Sequence, residues 1–303
     1  METATSRRIG EPPRRAWVET IMGMPVSIHL RSWSAASAEE AVQRCFAELR
    51  EADRTFSPYQ AGSEVSRIGR GELALADASA DVREVAAACR EAETRTGGLF
   101  SAAWRAWAGT GFDPTEPDPT GPDPIEFDPT GPDPIEFDPT GFVKGWAVER
   151  AARRHLQPLV GKHLAAGINA GGDLQLFTDP HSSWRWRVGI ADPHRPGAVL
   201  ASLEVAEGAV ATSGTAERGH HIVDPRTGLP ASGGVISATV VADGLTHADV
   251  WATAAVVSGF DDLSWLPAAD VRTGITVSAD GRTRRWVGGI AVTVSPATGL
   301  AAA

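Results

Sequence analysis

Between residues 209 and 230 the chain brings Thr212, Ser213, Arg218, His220, His221 and Asp224 into one glycine-punctuated stretch. Hydroxyls, a cation and an imidazole beside a permissive backbone are the groups a phosphate-handling site uses. His221 is the best general-base candidate: its ordinary pKa lies near neutrality, and hydroxyls and Asp224 bracket it. Ser213 is not read as a nucleophile, because no Gly-x-Ser-x-Gly elbow surrounds it. Asp224-Pro225 with Thr227-Gly228 reads equally as an ordinary turn.

Two further segments carry compatible chemistry. Asp249 and Thr253 stand four residues apart on a predicted helix and so share a face. A carboxylate and a hydroxyl are hard oxygens that suit Mg2+ and leave positions for phosphate or water. The structural alternative makes Thr246 the helix cap, with Asp249 in the first turn favoured by the helix dipole. Lys144, between Val143 and Gly145, falls at a helix start, where backbone amides attract anions; the plain alternative is a surface lysine. Gly171-Gly172-Asp173 reads as a strand running into a tight turn that a ligand can approach, or as a turn alone. It is not a dinucleotide fingerprint, since no Gly-x-Gly-x-x-Gly is present there.

These groups need elements to hold them. Residues 16–31 alternate as a strand pair interrupted by Gly23 and Pro25. Ser37 and Glu40 form a capping box ahead of Val42, Cys45, Phe46 and Leu49 at helical spacing. Ser79 caps a second helix with Val82, Val85, Ala86 and Cys89 on one face, ended by Gly97-Gly98. Further helices are predicted over 143–157 and 248–258, and strands over 164–170, 184–191, 199–206, 209–213, 235–242 and 273–278. Strands in adjacent runs, not strict alternation with helices, indicate an α+β fold with largely antiparallel sheet.

The chain has 303 residues, an apolar fraction of 42% and a net charge of −10. Acidity of this kind excludes a phosphate-backbone surface, so no nucleic-acid partner is expected. The charge is concentrated: residues 113–142 hold six Asp and three Glu with no Lys or Arg. There Asp-Pro recurs every five residues, and Gly-Pro-Asp-Pro-Ile-Glu-Phe-Asp-Pro-Thr occurs twice, at 121–130 and 131–140. Proline at this density blocks both helix and central strand, which predicts an extended loop over 113–137 inserted in one domain spanning 16–303. A calcium array is disfavoured because most copies lack the glycine turn of a calcium loop. Cys45 and Cys89 fall on helix stripes as core residues, with no disulfide or zinc spacing. Residues 1–15 read as a flexible tail. Arg7-Arg8 is followed by no apolar run, no lipid-anchor cysteine is seen and no stretch could span a bilayer, so a cytoplasmic protein is expected.

Taken together the segments resemble the ApbE family of FAD:protein FMN transferases. The likeness rests on Met22-Gly23; Phe56-Ser-Pro-Tyr59 with Ser63-Glu-Val-Ser-Arg67; Thr96-Gly-Gly-Leu-Phe100; the run 138–146; Ile168-Asn-Ala-Gly-Gly-Asp173; Trp186-Arg-Val-Gly-Ile-Ala-Asp-Pro193; Ala211-Thr-Ser-Gly214; His221-Ile-Val-Asp-Pro225; and Ala248-Asp249 with Thr253. The resemblance implies an ApbE-like (T-fold-related) fold of mixed, largely antiparallel sheets with packed helices. It implies an Mg2+-dependent enzyme that cleaves FAD, attaches FMN to a threonine hydroxyl of an acceptor flavoprotein and releases AMP. By position, Asp249 and Thr253 would bind Mg2+ with backbone oxygens of Gly141 and Ala252. Asp138 and Lys144 would contact FAD; Met22, Tyr59, Leu99, Phe100, Ser101 and Val223 would line the flavin nucleotide; and His221 would take the acceptor's proton. Four positions depart from the family's usual pattern: Ser101 for Asp, Met24 for Thr, Gly69 for Asn, and Ala216 where an aromatic is expected. An FAD pyrophosphatase giving FMN and AMP, and a non-catalytic FAD-binding protein, are the competing readings.

Overall fold

A computed structural model describes residues 12–34, 36–103, 137–215, 222–288 and 290–292. The alternation near the N-terminus yields a hairpin of β1 (Arg14–Ile21) and β2 (Met24–Arg31), starting two residues before the expected strand. Met24, Val26, Ile28 and Leu30 are buried along one face of β2. Met22 and Gly23 make the two-residue turn, with φ of 54° and 71°. Positive φ at both turn positions matches the right-handed twist of the flanking strands.

Helix α1 (Glu39–Phe56) buries the stripe read from its spacing, Val42, Cys45, Phe46 and Leu49, and extends it to Phe56. The expected capping box is not formed. The helix starts at Glu39, so Ser37 lies one residue too early, and its Oγ accepts from the Glu39 amide at 3.3 Å. A short α2 (Glu64–Gly69) is capped by Ser63, whose Oγ accepts from Ser66 N. In α3 (Ala80–Arg95) Ser79 caps as expected, accepting from Val82 N at 3.4 Å. Gly97 and Gly98, at φ of 62° and 82°, then turn the chain out of the helix. Cys45 and Cys89 are buried free thiols, each pushed up to about 12 chiefly by burial.

Helix α4 (Thr140–Ala151) begins three residues before the expected start and continues through a π turn, Ala152–Leu156. The sheet then resumes with β3 (Ala165–Ala170), β4 (Asp173–Thr178), the ribbon β5 (Trp186–Ala191) and β6 (Val199–Val205), and β7 (Gly208–Gly214). The small pair β8 (Val223–Asp224) and β9 (Leu229–Pro230) precedes β10 (Val235–Ala242). Helices α5 (Leu245–Ser258) and α6 (Leu266–Ala269) lead to β11 (Thr273–Ser278), β12 (Thr283–Val287) and β13 (Ile290–Val292). Nine strands form one antiparallel sheet in the order β1-β2-β3-β4-β7-β10-β11-β12-β13.

The period of two divides the sheet's faces. Phe177, Ala209, Ala211, Ala238 and Val240 join the main core under the helices, while Leu176, Val210 and Val241 meet Val188 and Val205 of the β5–β6 ribbon on the opposite face. Helix α5 lies on β7 and β10 with α4 against its other side, which explains why it is buried almost all round. No described helix is long and apolar enough to cross a membrane. The Asp-Pro repeat expected over 113–137, Phe137 apart, and residues 1–11 of the expected tail lie outside the described residues.

Candidate active site

The site is built where α4 crosses α5 above the central strands. Gly145 allows the crossing. A Cβ there would lie 3.2 Å from both Asp249 Oδ2 and Thr246 Cα, so only a residue without a side chain lets the helices meet this closely. The preceding residue, Lys144, therefore projects next to Asp249. Its Nζ lies 2.5 Å from Asp173 Oδ2 and 3.4 Å from Asp249 Oδ2. Burial alone would lower the Lys144 ammonium's pKa, but Asp249 and Asp173 outweigh it and hold the pKa above the usual lysine range. Lys144 is accordingly a fixed positive charge, not the surface lysine of the plain reading.

Asp173 opens β4 and is almost wholly buried. Its Oδ1 accepts from the Thr212 amide at 2.8 Å, tying β4 to β7 at the site. Two residues along the same face, Gln175 accepts from Leu245 N at 3.0 Å and donates to Gly208 O at 3.2 Å, which fixes the start of α5 on the sheet. Glu149 on α4 secures that start from the other side, accepting from Thr246 N at 2.9 Å and Thr246 Oγ1 at 2.8 Å. Thr246 is thus the second residue of α5 and not its cap, which is Gly244. A carboxylate from another helix supplies the acceptor that the expected cap would have provided.

Asp249 and Thr253 do share a face of α5. Asp249 is buried, and Thr253 Oγ1 is 3.1 Å from Ser213 Oγ of β7. Gly141 and Ala252, the two residues expected to offer carbonyl oxygens, lie in the first turn of α4 and midway along α5. Each carbonyl accepts one helical amide and keeps a second lone pair. Among the described residues no set of three or more His, Cys, Asp or Glu side chains converges on one point. The oxygens here are one carboxylate, hydroxyls and carbonyls. That set fits Mg2+, which is commonly held by one or two carboxylates and completed by substrate phosphates and water.

Apart from Lys144, the expected FAD-contacting residues fall into four places. Asp138 is buried ahead of α4; its Oδ1 accepts from Thr140 N at 3.0 Å and its amide donates to Ala102 O at 2.7 Å. The second bond joins it to the buried run Leu99, Phe100 and Ser101, and the Phe100 ring reaches Phe142 of α4 at 6.2 Å between centroids. Met22 sits at the hairpin tip, and its neighbour Met24 packs against Gly171 of the β3–β4 turn, where a Cβ would be 2.8 Å from Met24 Sδ. That turn leads straight into Asp173. Tyr59 is 57% exposed after α1, and Val223 is buried in β8, so these two are carried by elements other than those that build the ion cluster. Asp224 is held by Arg226, with two contacts of 2.9 and 2.8 Å; burial would raise its carboxyl's pKa, and these bonds to Arg226 keep it below the usual range. His221, with Arg218 and His220, lies outside the described residues.

Asp173 and Ser213 are the site residues that reasoning from sequence left without a role. Asp173 could have been found from its glycine pair, which marks a strand end, combined with the absence of any nearby cation along the chain.

The ApbE family model matches residues 22–273. Curated relatives described as FAD:protein FMN transferases include that of Rhodobacter capsulatus, 40% identical over 126 residues, covering 38% of this chain and 24% of that protein. That of Treponema pallidum is 42% identical over 85 residues, 25% of this chain and 24% of that one. The chain spans between 24% and 35% of the length of the first curated relatives it matches. Over nearly the whole fold it resembles the solved ApbE protein of Thermotoga maritima, with a TM-score of 0.70 at 22% identity, covering 90% of this chain and 97% of that one. The flavin transferase ApbE of Vibrio cholerae is comparable, with a TM-score of 0.69 at 21% identity, covering 91% and 97%.

Proposed function

The chain belongs to the ApbE family, and from that premise we propose that it transfers FMN from FAD to a threonine hydroxyl of an acceptor flavoprotein, releasing AMP. The observation that carries this reading is the buried acidic pair around Lys144 beside the Asp249–Thr253 face, at the point where α4, α5 and β7 meet. Asp249 and Thr253, with the Gly141 and Ala252 carbonyls, would hold Mg2+. Bound there, the cation would neutralise charge on the two bridged phosphates of FAD.

The protein's own groups would do the rest. The threonine oxygen of the acceptor attacks the phosphorus on the flavin side of the pyrophosphate. The bond from that phosphorus to the bridging oxygen breaks, and AMP departs carrying that oxygen. His221 would accept the hydroxyl proton, a contribution on the order of 10²–10⁴ in rate for a well-placed base. Asp138, Met22, Tyr59, Leu99, Phe100, Ser101 and Val223 would orient the flavin nucleotide, keeping its phosphorus in line with the acceptor oxygen. Lys144 would add positive charge near the phosphates, and the buried surroundings would limit competition from water.

Incubation with FAD, Mg2+ and a flavoprotein acceptor tests the reading. Equal amounts of AMP and denaturation-resistant protein-bound flavin are expected. FMN and AMP without labelled protein would replace the transferase by the pyrophosphatase reading, and FAD bound but intact would leave only a binding protein.

A further inference from the structure

Lys144 stands between two carboxylates supplied by different parts of the fold, and the two are not equivalent. Asp173 belongs to the sheet and is locked by the Thr212 amide at 2.8 Å; its contact with the ammonium is the shorter one, 2.5 Å. Asp249 belongs to α5, is 3.4 Å from the same ammonium and shares its helix face with Thr253. The close helix crossing at Gly145 brings the neighbouring Lys144 within reach of Asp249.

We infer that Lys144 is a place-holder cation that neutralises Asp249 before Mg2+ arrives, and that Asp173 is the positioning residue that draws the ammonium aside when Mg2+ binds. The inference rests on the reading that Asp249 and Thr253 hold the cation. An ammonium and a divalent ion facing one carboxylate repel each other, so the site needs a second, immobile anion to keep the lysine clear. Asp173 meets that need. It cannot follow the lysine, because its other oxygen is held by the backbone of β7. The arrangement also lets the acidic pair stay buried when no metal is bound, since at least one cation always faces it.

The two partners therefore act on Mg2+ in opposite directions. Removing the ammonium removes a competitor for Asp249, so Mg2+ binds more tightly. Removing the Asp173 charge leaves the ammonium to settle on Asp249, so Mg2+ binds more weakly. A lysine whose only task is to touch FAD phosphate would leave Mg2+ affinity unchanged when FAD is absent.

Calorimetric titration of the full chain with Mg2+ alone, without FAD, decides the matter. Lys144→Met and the milder Lys144→Gln are expected to lower the Kd for Mg2+ by about fivefold or more. Asp173→Asn is expected to raise it by about tenfold, as for other residues that orient metal ligands. Thermal melts give a second reading: Lys144→Met melts lower than the parent without Mg2+, and Mg2+ raises its melting point more than the parent's. If Asp173→Asn does not fold, the sign of the change in Lys144→Gln decides alone. Unchanged or weaker Mg2+ binding in the lysine variants, with the parent protein binding normally, overturns the inference. A parent protein that binds no Mg2+ overturns the cation reading itself.

Discussion

Helix α4 carries an ion cluster at each end, and the two are built differently. At its start, the Lys144 ammonium meets two carboxylates, Asp173 and Asp249, beside a hydroxyl pair, Ser213 and Thr253. At its far end, the Glu48 carboxylate of α1 meets Arg150 at 2.8 Å, Arg154 at 3.0 Å and His155 at 2.8 Å, and Arg150 also reaches Asp81 of α3 at 2.9 Å. Among the described residues the far cluster sets two arginines against two carboxylates, with the His155 ring also on Glu48, and ties three helical segments together, so it serves as a latch. The near cluster sets two acids around one ammonium, with further oxygens beside them. Buried acids that outnumber the cation between them suit a second cation from outside. One helix thus contributes to a latch and to the candidate site, and the surplus of acid at the near cluster tells them apart.

Paired substitutions break that comparison most sharply. Asp249→Asn is expected to lower FMN transfer by about a hundredfold or more, because several kcal/mol of phosphate charge stabilisation depends on the cation it would hold. Glu48→Gln should leave Mg2+ affinity unchanged and instead cost about 1–2 kcal/mol of stability in chemical denaturation, because the largely buried Arg150 and His155 lose a partner. If Glu48→Gln weakened Mg2+ binding as much as Asp249→Asn, the division between the two clusters would be wrong.

Gly145→Ala probes the crossing between them with a smaller expected effect. The added Cβ would press on Asp249 and on the Thr246 backbone at 3.2 Å. Stability should fall by about 2 kcal/mol from overpacking, and Mg2+ affinity should fall with it because the Asp249 carboxylate is displaced. Loss of stability with an unaltered Mg2+ titration would show that the crossing does not set the cation site.

Not all of this was open to reading along the chain. The stripe Val42, Cys45, Phe46 and Leu49 was legible because helical periodicity is local and the core simply uses it. So were the edges of β10 and β11, and the pairing of Asp249 with Thr253 on one helix face. Ser37 misled by one residue, since a hydroxyl one place before the cap can still bond the first amide. The alternative that makes Thr246 the helix cap fails because its acceptor, Glu149, lies 97 residues away. Strand β4 was missed because its buried centre is a glutamine, whose bonds to Gly208 and Leu245 come from other elements. Asp173 escaped for the same reason: its role depends on Lys144 and on the Thr212 amide, which only the sheet order brings near. Residues acting through neighbours in sequence were readable; residues acting through the fold were not.

The smallest effect lies away from both clusters. The rings of His163 and His29 have pKa values lowered from 6.5, mainly by burial, with Arg15 and Lys162 adding to it at His163 and Arg14 and Arg31 at His29. A lowered folded pKa means that the unfolded chain takes up protons first, so this stability is complete above the ordinary histidine value and declines as pH falls below it. Melting points measured at about pH 7.5 and about pH 5.5 should show the decline, reduced in His163→Gln. The two rings are bonded elsewhere than at the ion clusters: His163 pairs with Ser32, and His29 with Ser27 and Arg14. A decline of equal size in His163→Gln would remove that histidine as a cause.

The most direct test of the central claim is a crystal of the protein grown with FAD and Mn2+ in place of Mg2+, read by anomalous scattering. One strong metal peak is expected within coordination distance of the Asp249 carboxylate and Thr253 Oγ1, close to the FAD pyrophosphate. A metal peak elsewhere, with the pyrophosphate bound away from Asp249, would contradict it.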